Sequence, residues 1–102
     1  MTDWIEVAKC ADIAAGKAKA VVADERMIAV VNLDGEFYAV DNICTHAHIV
    51  LTEGCLIDGQ LECPLHRARF DVRTGAVTAP PAYEPLRTYE VRVDGDAVLV
   101  KL

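Results

Sequence analysis

Four dipeptides set the architecture of this chain: Asp34-Gly35, Asp58-Gly59, Thr74-Gly75 and Asp94-Gly95, each between short apolar runs. Asp-Gly is a strong hairpin signal, because both residues tolerate the positive φ that a tight turn between twisted strands requires. A chain interrupted this often must fold back on itself as short antiparallel strands. The flanking residues have the matching period. Tyr89, Val91 and Val93 alternate with Glu90 and Arg92, and Val98, Val100 and Leu102 follow. Segments 27–33 and 37–40 are rich in Val, Ile, Phe and Tyr, and 18–23 and 4–8 read as further strands. Only 11–17 suggests a helical turn, with Asp12 as its cap and Gly16 as its end. Ala79-Pro80-Pro81-Ala82 reads as a stiff loop, because proline removes ladder donors. The fold class expected is all-β, an antiparallel β-sandwich or small barrel.

Length and charge narrow the setting. With 102 residues the chain is expected to form one domain, 1–102, since two would each be too small to sustain a core. A net charge of −6 argues against a nucleic-acid partner, which needs a basic face. The longest unbroken apolar run covers only 27–31, far short of a bilayer span, so no membrane association is expected. The start, Met1-Thr2-Asp3-Trp4, has neither the basic region nor the apolar stretch of a signal peptide. A cytoplasmic monomer is the expectation. In a reducing cytosol, clustered Cys and His bind metal more often than they form disulfides.

Such a cluster is present. Cys44-Thr45-His46 and Cys63-Pro64-Leu65-His66 are separated by sixteen residues that contain the Asp58-Gly59 hairpin. A hairpin brings its ends together, so two thiolates and two imidazoles should converge. One tetrahedral zinc accepts such a set, although structural zinc loops usually pair Cys with Cys and His with His. Here each loop supplies one of each. That mixture suits two metal atoms, Cys₂ on one iron and His₂ on the other, as in a 2Fe–2S centre.

Cys44-Thr45-His46, Cys63-Pro64-Leu65-His66, Phe70-Asp71 and Thr74-Gly75 together resemble the Rieske ferredoxins of bacterial ring-hydroxylating dioxygenases, such as those acting on naphthalene and biphenyl. The likeness runs from Trp4-Ile5 through Asp41-Asn42-Ile43 and Ala79-Pro80 to Tyr89-Glu90-Val91. It implies two small antiparallel sheets, with a cluster-binding subdomain of two hairpin loops at about 42–82. Carried over by position, Cys44 and Cys63 hold one iron of a single 2Fe–2S cluster, and His46 and His66 hold the other. Pro80 and Pro81 would cover the cluster as a third loop. Cys10 and Cys55 have no place in the motif and are expected to be structural core residues. His48 is expected to be an exposed loop residue and not a ligand. Arg67 and Arg69, which flank His66, read as solvated side chains, with contact to carboxylates of a redox partner as the other possibility.

A 2Fe–2S centre has one-electron chemistry and no open coordination position, so the chain is expected to carry electrons and not to catalyse. The resemblance implies a flavoprotein reductase as donor and a terminal oxygenase as acceptor. A small Rieske subunit of another oxidoreductase, such as a nitrite reductase, and a structural zinc module are the other readings. High-potential Rieske proteins add two bridging cysteines and Ser and Tyr donors to the cluster. Here the corresponding residues are Ile49, Leu65, Ala68 and Phe70, so a low potential is expected.

Overall fold

Both Asp34-Gly35 and Asp58-Gly59 have positive φ at each residue, 58° and 96° in the first and 50° and 76° in the second. That is the backbone of a type I′ turn. At the last of the signals Asp94 ends a strand, and Gly95, with φ 63°, is the first central residue of the turn. The computed structural model describes residues 4–45, 49–65, 67–80, 82 and 84–102.

Among the described residues ten strands follow in chain order: β1 (Trp4–Lys9), β2 (Lys17–Ala23), β3 (Arg26–Leu33), β4 (Glu36–Asp41), β5 (Cys55–Ile57), β6 (Gln60–Glu62), β7 (Arg69–Asp71), β8 (Val77–Ala79), β9 (Thr88–Asp94) and β10 (Ala97–Lys101). They form two sheets. A six-stranded antiparallel sheet has the order β1-β10-β9-β4-β3-β2 and curls until β1 approaches β2, a nearly closed barrel. A four-stranded sheet, β5-β6-β7-β8, carries the middle of the chain. The all-β expectation holds. The helical turn is shifted from the expected span: a 3-10 turn covers Cys10–Asp12 and 13–16 is irregular, while a second 3-10 turn, at Leu51–Glu53, was not expected. Asp12 does cap, but from the third position, its carboxylate accepting the Lys9 N–H at 2.9 Å. The exposed pair Asp24 and Glu25, at φ 50° and 65°, makes a further hairpin turn between β2 and β3.

The apolar run in β3 has a structural reason. Ile28 and Val30 face the barrel core with Ala39, Tyr89, Val98 and Val100, while Ala29 and Val31 face a second core with Val40, Leu61 and Phe70. A strand buried on both faces reads as continuous hydrophobics instead of alternation. Strand β3 is therefore the wall between the barrel and the small sheet.

β4 and β9 are hydrogen-bonded neighbours, Ala39 opposite Tyr89 and Val40 opposite Thr88, yet all of 42–87 lies between them in sequence. The whole small sheet is an insertion that leaves the barrel at Asp41 and returns at Arg87, whose carbonyl accepts the Asp41 N–H at 2.9 Å. Buried Asn42 fixes the exit. Its amide donates to Thr52 Oγ1 at 2.9 Å and accepts the Thr52 N–H at 3.0 Å, and its backbone N–H donates to Met27 O at 2.9 Å.

The neck is braced by Tyr89, whose hydroxyl donates to Asp41 and whose ring lies 6.0 Å below the Arg26 guanidinium. Burial, and then the Asp41 carboxylate, push the Tyr89 phenol up from its usual value, with Arg26 pulling the other way. The folded state holds the neutral phenol more tightly than the unfolded chain does. This contribution is intact below the ordinary tyrosine value of about 10 and is lost as pH rises through the folded value. Tyr89→Phe should cost about 1–2 kcal/mol in urea unfolding at pH 7, because Asp41 loses its donor. The same variant should lose less stability than wild type above pH 10. An alkaline limb as steep as wild type would show that another group controls it.

Candidate metal centre

Cys44 and Cys63 begin two loops of the same construction. The Cys44 N–H donates to Ile49 O at 2.9 Å, and the Cys63 N–H donates to Ala68 O at 2.7 Å. Each loop is thus closed five residues after its cysteine. Below the first closure Ile43 bridges Val50, and below the second Glu62 pairs with Arg69 in the β6–β7 ladder. The Asp58-Gly59 hairpin, β5 to β6, returns the chain between them, as the sequence requires.

The two cysteines are fully buried, unoxidised and in one core, with Leu51, Leu61, Ala68, Phe70, Ala82 and Leu86. Burial pushes the Cys63 thiol up; the Leu65 backbone N–H, donating to its sulfur, pulls it down, and the adjacent Cys44 thiol adds to the rise. Both cysteines thus sit in the same core, one from each loop. His46, His48 and His66 lie outside the described residues. Among the described residues no group of three or more Cys, His, Asp or Glu is gathered as a metal site.

Close backbone approaches hold this arrangement. A Cβ on Gly54 would stand 1.9 Å from Glu62 O and 3.1 Å from Pro64 Cδ, so only glycine lets β6 pass immediately before Cys63. A Cβ on Gly75 would stand 2.2 Å from Leu86 O, and the Leu86 N–H donates to Gly75 O at 2.8 Å. Gly75 thereby clasps the chain that follows the prolines. That segment is also tied to the first loop, where Thr45 Oγ1 donates to Glu84 O at 2.8 Å. Ala82 is buried in the cysteine core and Pro80 is exposed, while Pro81 lies outside the described residues. The segment after the prolines thus packs on the first loop and on the cysteine core through Glu84 and Ala82, while Pro80 stands out in solvent. Neither Gly54 nor the Thr45–Glu84 contact carries a signal in the sequence, since both are long-range backbone encounters.

Two further expectations change. Cys55 is not a core residue: it is exposed on edge strand β5, where Leu56 is the side chain that turns inward. Cys10 is half-buried against the barrel core, in keeping with a structural role. Of the two arginines, Arg69 is not simply solvated, because its Nε holds Glu62 Oε2 at 2.9 Å across β6 and β7. Arg67 is exposed.

The donor chemistry discriminates. Neither loop, 44–49 or 63–68, contains a carboxylate, so hard cations find no oxygen ligands there. Two cysteines buried in one core, on loops that also carry imidazoles, suit a soft thiophilic metal or an iron–sulfur centre. The family model described as the Rieske [2Fe-2S] domain matches residues 3–90. The chain belongs to the Rieske [2Fe–2S] family. Its cofactor is one Rieske-type 2Fe–2S cluster, and the residues present fit it. This Rieske chain is 44% identical over 90 residues to the biphenyl dioxygenase ferredoxin subunit of Pseudomonas sp. (strain KKS102), covering 87% of this chain and 83% of the relative. It superposes with a TM-score of 0.94 on the ferredoxin of carbazole 1,9a-dioxygenase from Nocardioides aromaticivorans IC177, at 40% identity and covering 99% and 98% of the two chains. A complex of reduced oxygenase and oxidized ferredoxin in carbazole 1,9a-dioxygenase gives 0.91 at 32% identity, covering 99% and 94%.

Proposed function

We propose that this chain is a cytoplasmic one-electron carrier. It takes electrons from an NAD(P)H-dependent flavoprotein reductase and delivers them to a terminal aromatic-ring oxygenase. In this reading 1–102 is one Rieske domain that catalyses nothing itself. Cys44 and Cys63 hold one iron, and His46 and His66 hold the other. When bound, a 2Fe–2S cluster stores one electron and offers no open coordination position to substrate. The observation that carries the reading is the pair of matched loops, each closed by its own cysteine N–H, with both cysteines buried in one core.

The chain's own groups have defined tasks. The Leu65 N–H donates to the Cys63 sulfur and so favours its thiolate form. The apolar core behind the cysteines excludes water from the sulfur side. The third loop, held by Thr45 and Gly75, closes a further side. Among the described residues no helix is long and apolar enough to cross a membrane. The kinship with dioxygenase ferredoxins supports the choice of acceptor.

Aerobically purified protein should contain two iron and two sulfide per chain, and when reduced should show an electron paramagnetic resonance signal with average g below the free-electron value. Stopped-flow mixing of the reduced protein with an oxidised terminal oxygenase should bleach one centre as the other gains colour. Stoichiometric zinc without sulfide would overturn the proposal.

A further inference from the structure

Among the described residues five non-glycine residues have positive φ. Four of them are the acidic turn residues Asp24, Glu25, Asp34 and Asp58, and the fifth is Arg67 at φ 62°. The left-handed region crowds the Cβ of an L-residue and suits glycine far better than arginine. Arg67 stands in the second loop, between His66 and Ala68, and its side chain is exposed. Its backbone conformation would be easier for glycine, and its side chain adds nothing to the core.

Among the described residues, the side chain has no ion-pair partner either. Arg69, two residues on, is bound to Glu62, whereas among the described residues no carboxylate lies within ion-pair distance of Arg67. Beside it on the same loop Leu65 is 44% exposed, an apolar side chain in water. The tip of the second loop therefore presents a guanidinium that has no ion-pair partner among the described residues, and an apolar contact, on a chain whose net charge is −6. Backbone strain that persists without local compensation collects at functional contacts. An exposed cation on an acidic molecule also orients it, turning its own face toward a negative surface.

We propose that Arg67 is a docking cation whose guanidinium pairs with a carboxylate on the rim of the terminal oxygenase, with Leu65 packing beside it. This rests on the electron-carrier reading above. Arginine suits the task because its planar fork can bind one carboxylate through two hydrogen bonds.

The test uses cluster-loaded wild type, Arg67→Gly, Arg67→Lys and Arg67→Glu. The reduced proteins are mixed in a stopped-flow instrument with two oxygenase components over a range of ionic strength. These come from biphenyl dioxygenase of Pseudomonas sp. (strain KKS102) and carbazole 1,9a-dioxygenase of Nocardioides aromaticivorans IC177. At low salt the second-order rate should fall about tenfold for Arg67→Glu and about threefold for Arg67→Gly, and the gap should close at high salt. Arg67→Lys should keep most of the rate, and all four proteins should share one midpoint potential. Arg67→Gly should also bleach more slowly than wild type in urea, a gain that a purely structural arginine would not give on removal. Equal rates for Arg67→Glu and wild type at every salt concentration would overturn the docking role while leaving the carrier reading intact. A charge-reversal effect seen only on reduction by a flavoprotein reductase would overturn the assignment to the oxygenase. Failure of the wild type to reduce either oxygenase would overturn the carrier reading and the docking role with it.

Discussion

Cys63→Ser should purify colourless, without the visible absorption of a 2Fe–2S centre, and Cys44→Ser should do the same. Both sulfurs are fully buried in a core that admits no water to take their place. The loss should extend beyond colour. A cluster held across two loops binds the folded chain and not the unfolded one, so its binding free energy is also folding free energy. Thermal unfolding of either variant should begin well below wild type, with the small sheet opening before the barrel. His46→Ala and His66→Ala should abolish or alter the Rieske signal, and His48→Ala should leave it nearly unchanged. Cys10→Ser and Cys55→Ser are the matching controls, since one sulfur lies against the barrel core and the other is exposed on β5. Iron and sulfide analysis with electron paramagnetic resonance decides each case. A normal cluster in Cys63→Ser, or its loss in His48→Ala with retention in His46→Ala, would refute the ligand assignment.

The midpoint potential should lie near the low end of the Rieske range, about −150 mV and not +300 mV. The reason is the wall against which the sulfurs sit. Ala68 and Phe70 are fully buried in the core that contains Cys44 and Cys63, and neither side chain has a hydrogen to donate. Donors to sulfur withdraw negative charge and favour the reduced state; beyond the Leu65 backbone N–H, the apolar side chains of this wall add none. Leu65 and Ile49, where high-potential proteins carry a disulfide, add no further constraint or withdrawal. Ala68→Ser with Phe70→Tyr should raise the potential by several tens of millivolts, roughly a fifth of the full Rieske span. Protein-film voltammetry on both proteins would check this. A wild-type midpoint well above zero, or no rise in the double variant, would contradict the argument.

Much of the fold was legible because its turns are written in local chemistry. Asp34-Gly35 and Asp58-Gly59 adopt the φ values their residue types favour, and the strands beside them follow. The turn at Asp24-Glu25 was not legible as a turn, since two acidic residues carry no such signal and tertiary pairing of β2 with β3 imposes the conformation. Strand order was equally hidden. Nothing near Thr88 says that it lies beside Val40, because that neighbour is recovered only after the entire small sheet has been built. At the site, the convergence of Cys44 and Cys63 in one core was legible from the hairpin between them. Thr45 reaching Glu84, thirty-nine residues away, was not, and neither was the difference between a paired Arg69 and an exposed Arg67.

The neck between Asp41 and Arg87 has an evolutionary consequence. A segment whose ends are held by two adjacent strands, about 4.8 Å apart, adds little closure cost to its host whatever its length. The barrel and the loop-bearing sheet can then diverge at separate rates, the first answering to stability and the second to redox tuning and to the choice of acceptor. Exchange of 42–87 between related chains should accordingly transfer electrochemical behaviour as a portable cassette, provided Asn42 and Tyr89 keep their contacts at the junction and the β3 wall keeps its packing through Ala29 and Val31.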